Sequence, residues 1–172
     1  MEPPKNPAGP FSPEESYSPQ RRSEFIAMIE SAPLKLRNAV KGLANEQLDT
    51  RYKNWSIRQI VHHLADSHVN SYVRFKWTLT EELPTIKAYD EGRWAGLVDS
   101  ITGNVEVPLA LLDGLHSRWI QLMRSMTESQ FSRSFFHPET KQTVSLNAAL
   151  CYYAWHCKHH MAQISWLREQ RG

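Results

Sequence analysis

The chain has 172 residues, 41% of them hydrophobic and 22% charged, a length for one buried core and a composition too apolar for wholesale disorder. Lys and Arg number 20 against 18 Asp and Glu, a formal charge of +2, which is too balanced for the clustered basic face that nucleic-acid binding requires. No apolar run approaches the roughly 20 residues that span a bilayer, and the start has no signal-peptide core, so the expectation is a soluble cytoplasmic protein with neither nucleic acid nor membrane as partner.

Six of the ten prolines fall within residues 1–20, which predicts an extended N-terminal arm ahead of a single domain over 21–172. Phe25, Ile26, Ile29, Leu34, Leu36, Val40 and Leu43 then recur at helical spacing and predict a first helix over 22–43, kinked or broken at Pro33. Asn45 is expected to cap a short turn to Leu48. Ser56 and Gln59 fit the capping box at the head of a second helix, whose stripe of Ile57, Ile60, Val61, Leu64, Phe75 and Leu79 ends before Pro84.

Residues 84–105 predict a long connection with a short helix after Asp90, its Trp94 and Leu97 docked inward. Pro108 suits the first turn of a third helix carrying Leu112, Leu115, Trp119, Leu122, Met123 and Met126 on one face. A loose hairpin is expected over 132–145, and Ser145 caps a last helix running to about 169. Four long amphipathic helices with little strand signal make an all-α four-helix bundle, and the link between the second and third allows a crossover connection. Cys151 and Cys157, roughly 9 Å apart along one helix, are too far apart for a disulfide and are expected to be reduced and buried.

Histidine is the unusual component, with eight residues of which five form two short clusters. On the last helix His156 and His160 stand one turn apart at the rim of the apolar face, whereas His159 lies outside it. Such a pair can hold one ion, or can be ordinary hydrogen-bonded core histidines. Cys157 occupies the place where a zinc protease of the H-E-x-x-H type needs its glutamate, which argues against that chemistry. On the second helix His68 sits in the apolar stripe, and His63 sits on a polar line with Ser67, Asn70 and Arg74. His116 on the third helix lies at the edge of its stripe. Spacing alone leaves open which of these joins the pair.

The run from Trp55 to His68 and the run from Tyr153 to Ala162 resemble the YfiT group of the DinB/YfiT-like superfamily, as do the proline-rich start, Asn70 to Lys76, and Phe136 to Lys141. The resemblance implies a DinB-type bundle with a long crossover and a metal triad of His63, His156 and His160. Superfamily members often carry Arg-Gly-Gln after the last ligand, and here Met161, Ala162 and Gln163 stand there. Three imidazoles with an open fourth position are a catalytic pattern, so one divalent ion per chain is expected, zinc first and nickel or another ion second. The implied activity is metal-dependent hydrolysis by activated water, with Asp66 as a candidate base, in a homodimer whose arm could reach the partner. The superfamily also supplies a second reading, S-transfer through a low-molecular-weight thiol of the bacillithiol or mycothiol kind. Arg74 and Asn70 would then bind the thiol's carboxylates. A third reading is a non-catalytic, stress-associated metal-binding bundle.

Overall fold

In the computed structural model, which describes residues 2–170, the elements run in chain order α1 (Pro19–Val40), α2 (Asn45–Leu48), β1 (Arg51–Tyr52), β2 (Trp55–Ser56), α3 (Ile57–Thr80), α4 (Glu91–Ala95), α5 (Val98–Thr102), α6 (Glu106–Ser125), α7 (Glu128–Phe131), β3 (Ser134–His137), β4 (Gln142–Ser145) and α8 (Leu146–Glu169). The long helices α1, α3, α6 and α8 form the bundle. Helix α1 packs along both α6 and α8, and α3 packs along the same two. The cyclic order is therefore α1–α6–α3–α8, with α3 reaching its neighbour α6 through the 81–105 crossover.

Helix starts are set by caps. The Ser56 hydroxyl accepts from the Gln59 amide while the Gln59 side chain accepts from the Ser56 amide, closing the capping box of α3. The Ser145 hydroxyl accepts from the Ala148 amide at the head of α8, and Asp90 does the same for α4. Helix α1 begins at Pro19, inside the segment expected to be wholly extended. Ser18 caps it and Pro19 fills its first position, a pairing that the density of nearby prolines conceals. It ends at Val40, before Gly42 at φ 77°, so the predicted helix is displaced by one turn. The short α2 is capped at Ala44, with Asn45 as its first residue.

Pro33 does not break α1. It lies buried inside a continuous helix, and the amide bond it cannot make leaves the Ile29 carbonyl free. That carbonyl accepts a hydrogen bond from His116 Nδ1 on α6, at 2.8 Å. Leu34, predicted on the core stripe, is instead 64% exposed. Trp94 and Leu97 also face outward, at 40% and 56% exposure. The crossover is held by polar contacts to α3 instead. The Gln59 side-chain Nε2 donates to the Ala95 carbonyl, and the Arg58 guanidinium donates to the Gly103 carbonyl. Only Ile86, Ala95, Ser100 and Val105 of the crossover supply buried anchors besides Pro84.

The expected hairpin is present as β3–β4, antiparallel in register Ser134↔Ser145 to His137↔Gln142, with Lys141 in a left-handed turn conformation at φ 56°. A second small hairpin, β1–β2, was not anticipated; two residues per strand leave no alternating pattern to read. Both cysteines are free and buried, and no described helix is long and apolar enough to cross a membrane.

The apolar core divides into two halves. One surrounds Phe75, Trp119 and Leu150, and the other surrounds Leu64, Leu112 and Ile164. Between them lies a polar belt. There His68 Nδ1 meets His116 Nε2 at 2.7 Å, and Cys157 Sγ lies 3.8 Å from His68 Nε2. Because His116 Nδ1–H is committed to Ile29, its Nε2 must accept, so His68 donates from Nδ1 and turns the lone pair of its Nε2 to the Cys157 thiol. Burial pushes that thiol up to about 12, so it remains an S–H donor closing the chain.

Candidate metal centre

One turn from this belt, His63 of α3 and His156 and His160 of α8 converge. Residues Ile57 to Ala65 are all buried, because this end of α3 is enclosed by α6, α8, β2 and the crossover. The polar line through His63 therefore points into protein. The three imidazoles are 3%, 4% and 6% exposed.

His63 Nε2 and His156 Nε2 are 3.2 Å apart, and His156 Nε2 and His160 Nε2 are 3.1 Å apart. Nitrogens bound tetrahedrally to one ion at about 2.0–2.1 Å sit about 3.3–3.4 Å apart, so the spacing is close to that of a shared ion. Burial, reinforced by the neighbouring imidazoles, holds His156 and His160 well below the ordinary histidine pKa, and burial lowers His63 to about 4. All three rings are neutral at pH 7, as ligands must be.

His160 is oriented from behind. Its Nδ1–H donates to Gln163 Oε1 at 2.8 Å, which leaves Nε2 bare for an ion. The Gln163 amide in turn donates to His159 Nε2 at 3.0 Å, so His159 supports the site from its rim. Among the described residues His156 Nδ1 has no partner, and its Nε2 meets only the Nε2 atoms of His63 and His160, so its one ring proton cannot satisfy both of its nitrogens. Three buried imidazoles whose Nε2 atoms converge, with the proton of His160 held away on Nδ1, fit a divalent ion. Trp55 walls the site, its ring centroid 4.5 Å from that of His63 and stacked on His160 at 6.3 Å.

Gln163 was not singled out by sequence reasoning, although its position three residues after His160 is the available signal. Gln163→Leu should lower metal affinity 10–100-fold with the helical circular dichroism unchanged, measured by competition with a chromophoric chelator. Unchanged affinity would show that Gln163 is a bystander.

A cleft of about 890 Å³ reaches the centre at His156. Its walls carry Tyr152 and Tyr153 from α8, Ser67 and Arg74 from α3, Tyr89 from the crossover and Phe135 from β3. The proline-rich arm roofs it on the same chain. Phe11 packs edge-on against Tyr152 at 5.3 Å, Trp155 Nε1–H donates to the Gly9 carbonyl at 3.1 Å, and the Tyr52 hydroxyl donates to the Pro4 carbonyl.

The remaining sequence candidates are placed differently. Asp66 is half-buried, and burial with nearby Asp99 pushes its carboxyl up to about 6. It is not among the cleft-lining residues, and among the described residues no hydrogen bond joins it to any of the three imidazoles. Asn70 donates to the Asp66 carbonyl at 2.9 Å and is likewise not a lining residue. His68 and His116 belong to the belt.

The profile of the DinB superfamily matches residues 28–164. YfiT of Bacillus subtilis (strain 168), named as a candidate metal-dependent hydrolase, is 48% identical over 168 residues, which is 96% of this chain and 94% of that protein. A solved structure of YfiT from Bacillus subtilis, described as having an unusual four-helix bundle topology, matches with a TM-score of 0.94 over 97% of both chains at 47% identity. A mycothiol-dependent maleylpyruvate isomerase matches 83% of this chain and 60% of its own, with a TM-score of 0.67 and 16% identity, a likeness of fold.

Proposed function

The chain belongs to the DinB superfamily, and from that membership and the site we propose that it is a metal-dependent hydrolase of a small molecule, with one divalent ion, zinc foremost and nickel next, held by His63, His156 and His160. The observation that carries this reading is the convergence of three buried imidazole Nε2 atoms where His156 meets the inner end of a cleft. A divalent ion held there supplies Lewis acidity, polarising a carbonyl and making water acidic enough to attack it near neutral pH. Neutral ligands leave its charge undiminished.

The chain's own residues do the rest. Gln163 fixes the His160 ring, and Trp55 with Tyr152 limits access of bulk water to the imidazoles. Burial pushes the Tyr152 phenol up to about 12, so it stays protonated beside His156 and is able to donate to a carbonyl oxygen on the cleft side. Asp66, set beside Asp99 and away from the cleft lining, is poorly placed as the base.

The test is turnover of aryl esters, amides and lactones by protein loaded with zinc or nickel, beside chelated protein and His63→Ala. Hydrolysis that chelation and His63→Ala both abolish supports the proposal. Metal-dependent conjugation of an electrophile to a low-molecular-weight thiol, with no hydrolysis of the panel, would overturn it in favour of S-transfer.

A further inference from the structure

We propose that the cleft takes a substrate with one carboxylate on an apolar body, and that Arg74 is the carboxylate anchor. This rests on the reading of the cleft as the approach to the metal centre. Arg51, Arg133 and Arg168 donate to backbone carbonyls, Arg118 lies over the Tyr72 ring, and Arg21, Arg22, Arg37, Arg58, Arg93 and Arg124 each have a carboxylate within ion-pair distance. Arg74, half-buried on α3, has none among the described residues. Its Nε is buried without a partner, and its one hydrogen bond runs from Nη1 to the Tyr153 hydroxyl at a long 3.4 Å. A guanidinium carries five N–H donors in a planar fork; here the Nε–H is shut from water without a partner while the side chain lines the cleft, so a ligand carboxylate can complete the fork.

The position suits an anchor. Arg74 follows His63 by three helical turns on the same face of α3, about 16 Å along the axis. Helical side chains lean toward the N-terminus, which brings the guanidinium back toward His63. Tyr153 spans part of the interval, its ring 5.8 Å from that of His156 and its hydroxyl on Arg74. Between anchor and imidazoles the walls are Phe11, Tyr89, Phe135 and Tyr152, surfaces for an apolar or aromatic body.

The charge pattern selects the anion. Among the described residues Arg74 is the one Lys or Arg side chain lining the cleft, and the other charged lining residues, Asp90, Glu91 and Glu139, are exposed acids. Past the same three acids a phosphate dianion would bring twice the charge of a carboxylate, whereas one carboxylate is neutralised by the one guanidinium in a bidentate pair.

The test uses metal-free protein, so that a carboxylate cannot owe its binding to an ion. Titrations of 3-phenylpropanoate and 3-phenylpropanamide, followed by protein NMR shifts, should show the acid binding at least tenfold tighter. Arg74→Gln should remove that preference, and Arg74→Lys should keep a few-fold of it, because the charge remains and the fork is lost; circular dichroism checks both folds. Equal affinity for acid and amide in the wild type, a preference that survives Arg74→Gln, or no binding of the acid up to tens of millimolar would overturn the proposal. Absence of hydrolysis by metal-loaded protein would sink the hydrolase reading and leave this preference as it was measured.

Discussion

Replacing His156 by leucine should raise the melting temperature of the metal-free protein and abolish stoichiometric metal binding. His156 is 4% exposed, its Nδ1 has no partner among the described residues, and its Nε2 faces two other Nε2 atoms at 3.1 and 3.2 Å. Gln163 fixes the proton of His160 on Nδ1, so at least one nitrogen opposite His156 is a bare lone pair. If His156 donates from Nε2, its Nδ1 is a buried unpaired acceptor. If the proton is on Nδ1, a donor is stranded and lone pairs face one another. Either arrangement costs about 1–3 kcal/mol, which leucine of similar size avoids. For a chain of this length that is roughly 2–4 °C of melting temperature per kcal/mol. The wild type should gain about 2.7 kcal/mol from an ion at a hundred times its dissociation constant, and the variant nothing. Melting in EDTA and in excess zinc reads both effects. A variant that melts below the wild type in EDTA, or that still carries one ion per chain, would contradict this account of the centre.

The same cost explains why the site was partly legible in the sequence. Two histidines one turn apart at the rim of an apolar face are an anomaly that periodicity exposes, and His156 and His160 do lie together. Periodicity failed on α3, where nine consecutive residues from Ile57 are buried and a polar line no longer means a solvent face. There the motif resemblance, and not the helical wheel, points to His63, which the structure places beside His156 and His160. The caps at Ser56 and Ser145 were readable because each involves side chains three residues apart. The crossover was not, because its Ala95 and Gly103 carbonyls are held by side chains of Gln59 and Arg58 far away in the chain, leaving Trp94 and Leu97 outside. Pro33 is the clearest case. A helix-breaking residue makes sense only once its freed Ile29 carbonyl is seen to meet a histidine 87 positions along.

That contact carries the second large effect, a loss of stability in acid. His116 is 2% exposed, and burial lowers it to about 4. Its geometry gives the reason. Nδ1–H is bound to Ile29 and Nε2 accepts from His68, so a second proton would have to enter between two rings 2.7 Å apart at their nitrogens. The unfolded chain binds that proton near pH 6.5, whereas the folded chain refuses it until about pH 4. The unfolded state therefore holds more protons across this window, so stability is full above pH 6.5 and falls as the pH drops toward 4. At about 1.4 kcal/mol per pH unit, this residue alone removes about 3 kcal/mol, a large share of a typical domain's 5–15 kcal/mol. In metal-free protein the melting temperature should accordingly fall by roughly 6–12 °C between pH 7 and pH 4 on account of this residue. His116→Gln, whose amide oxygen can still accept from His68, should make the decline shallower by about one proton's worth of slope. An unchanged pH profile in that variant would show that the His116 chain is not what the acid disrupts.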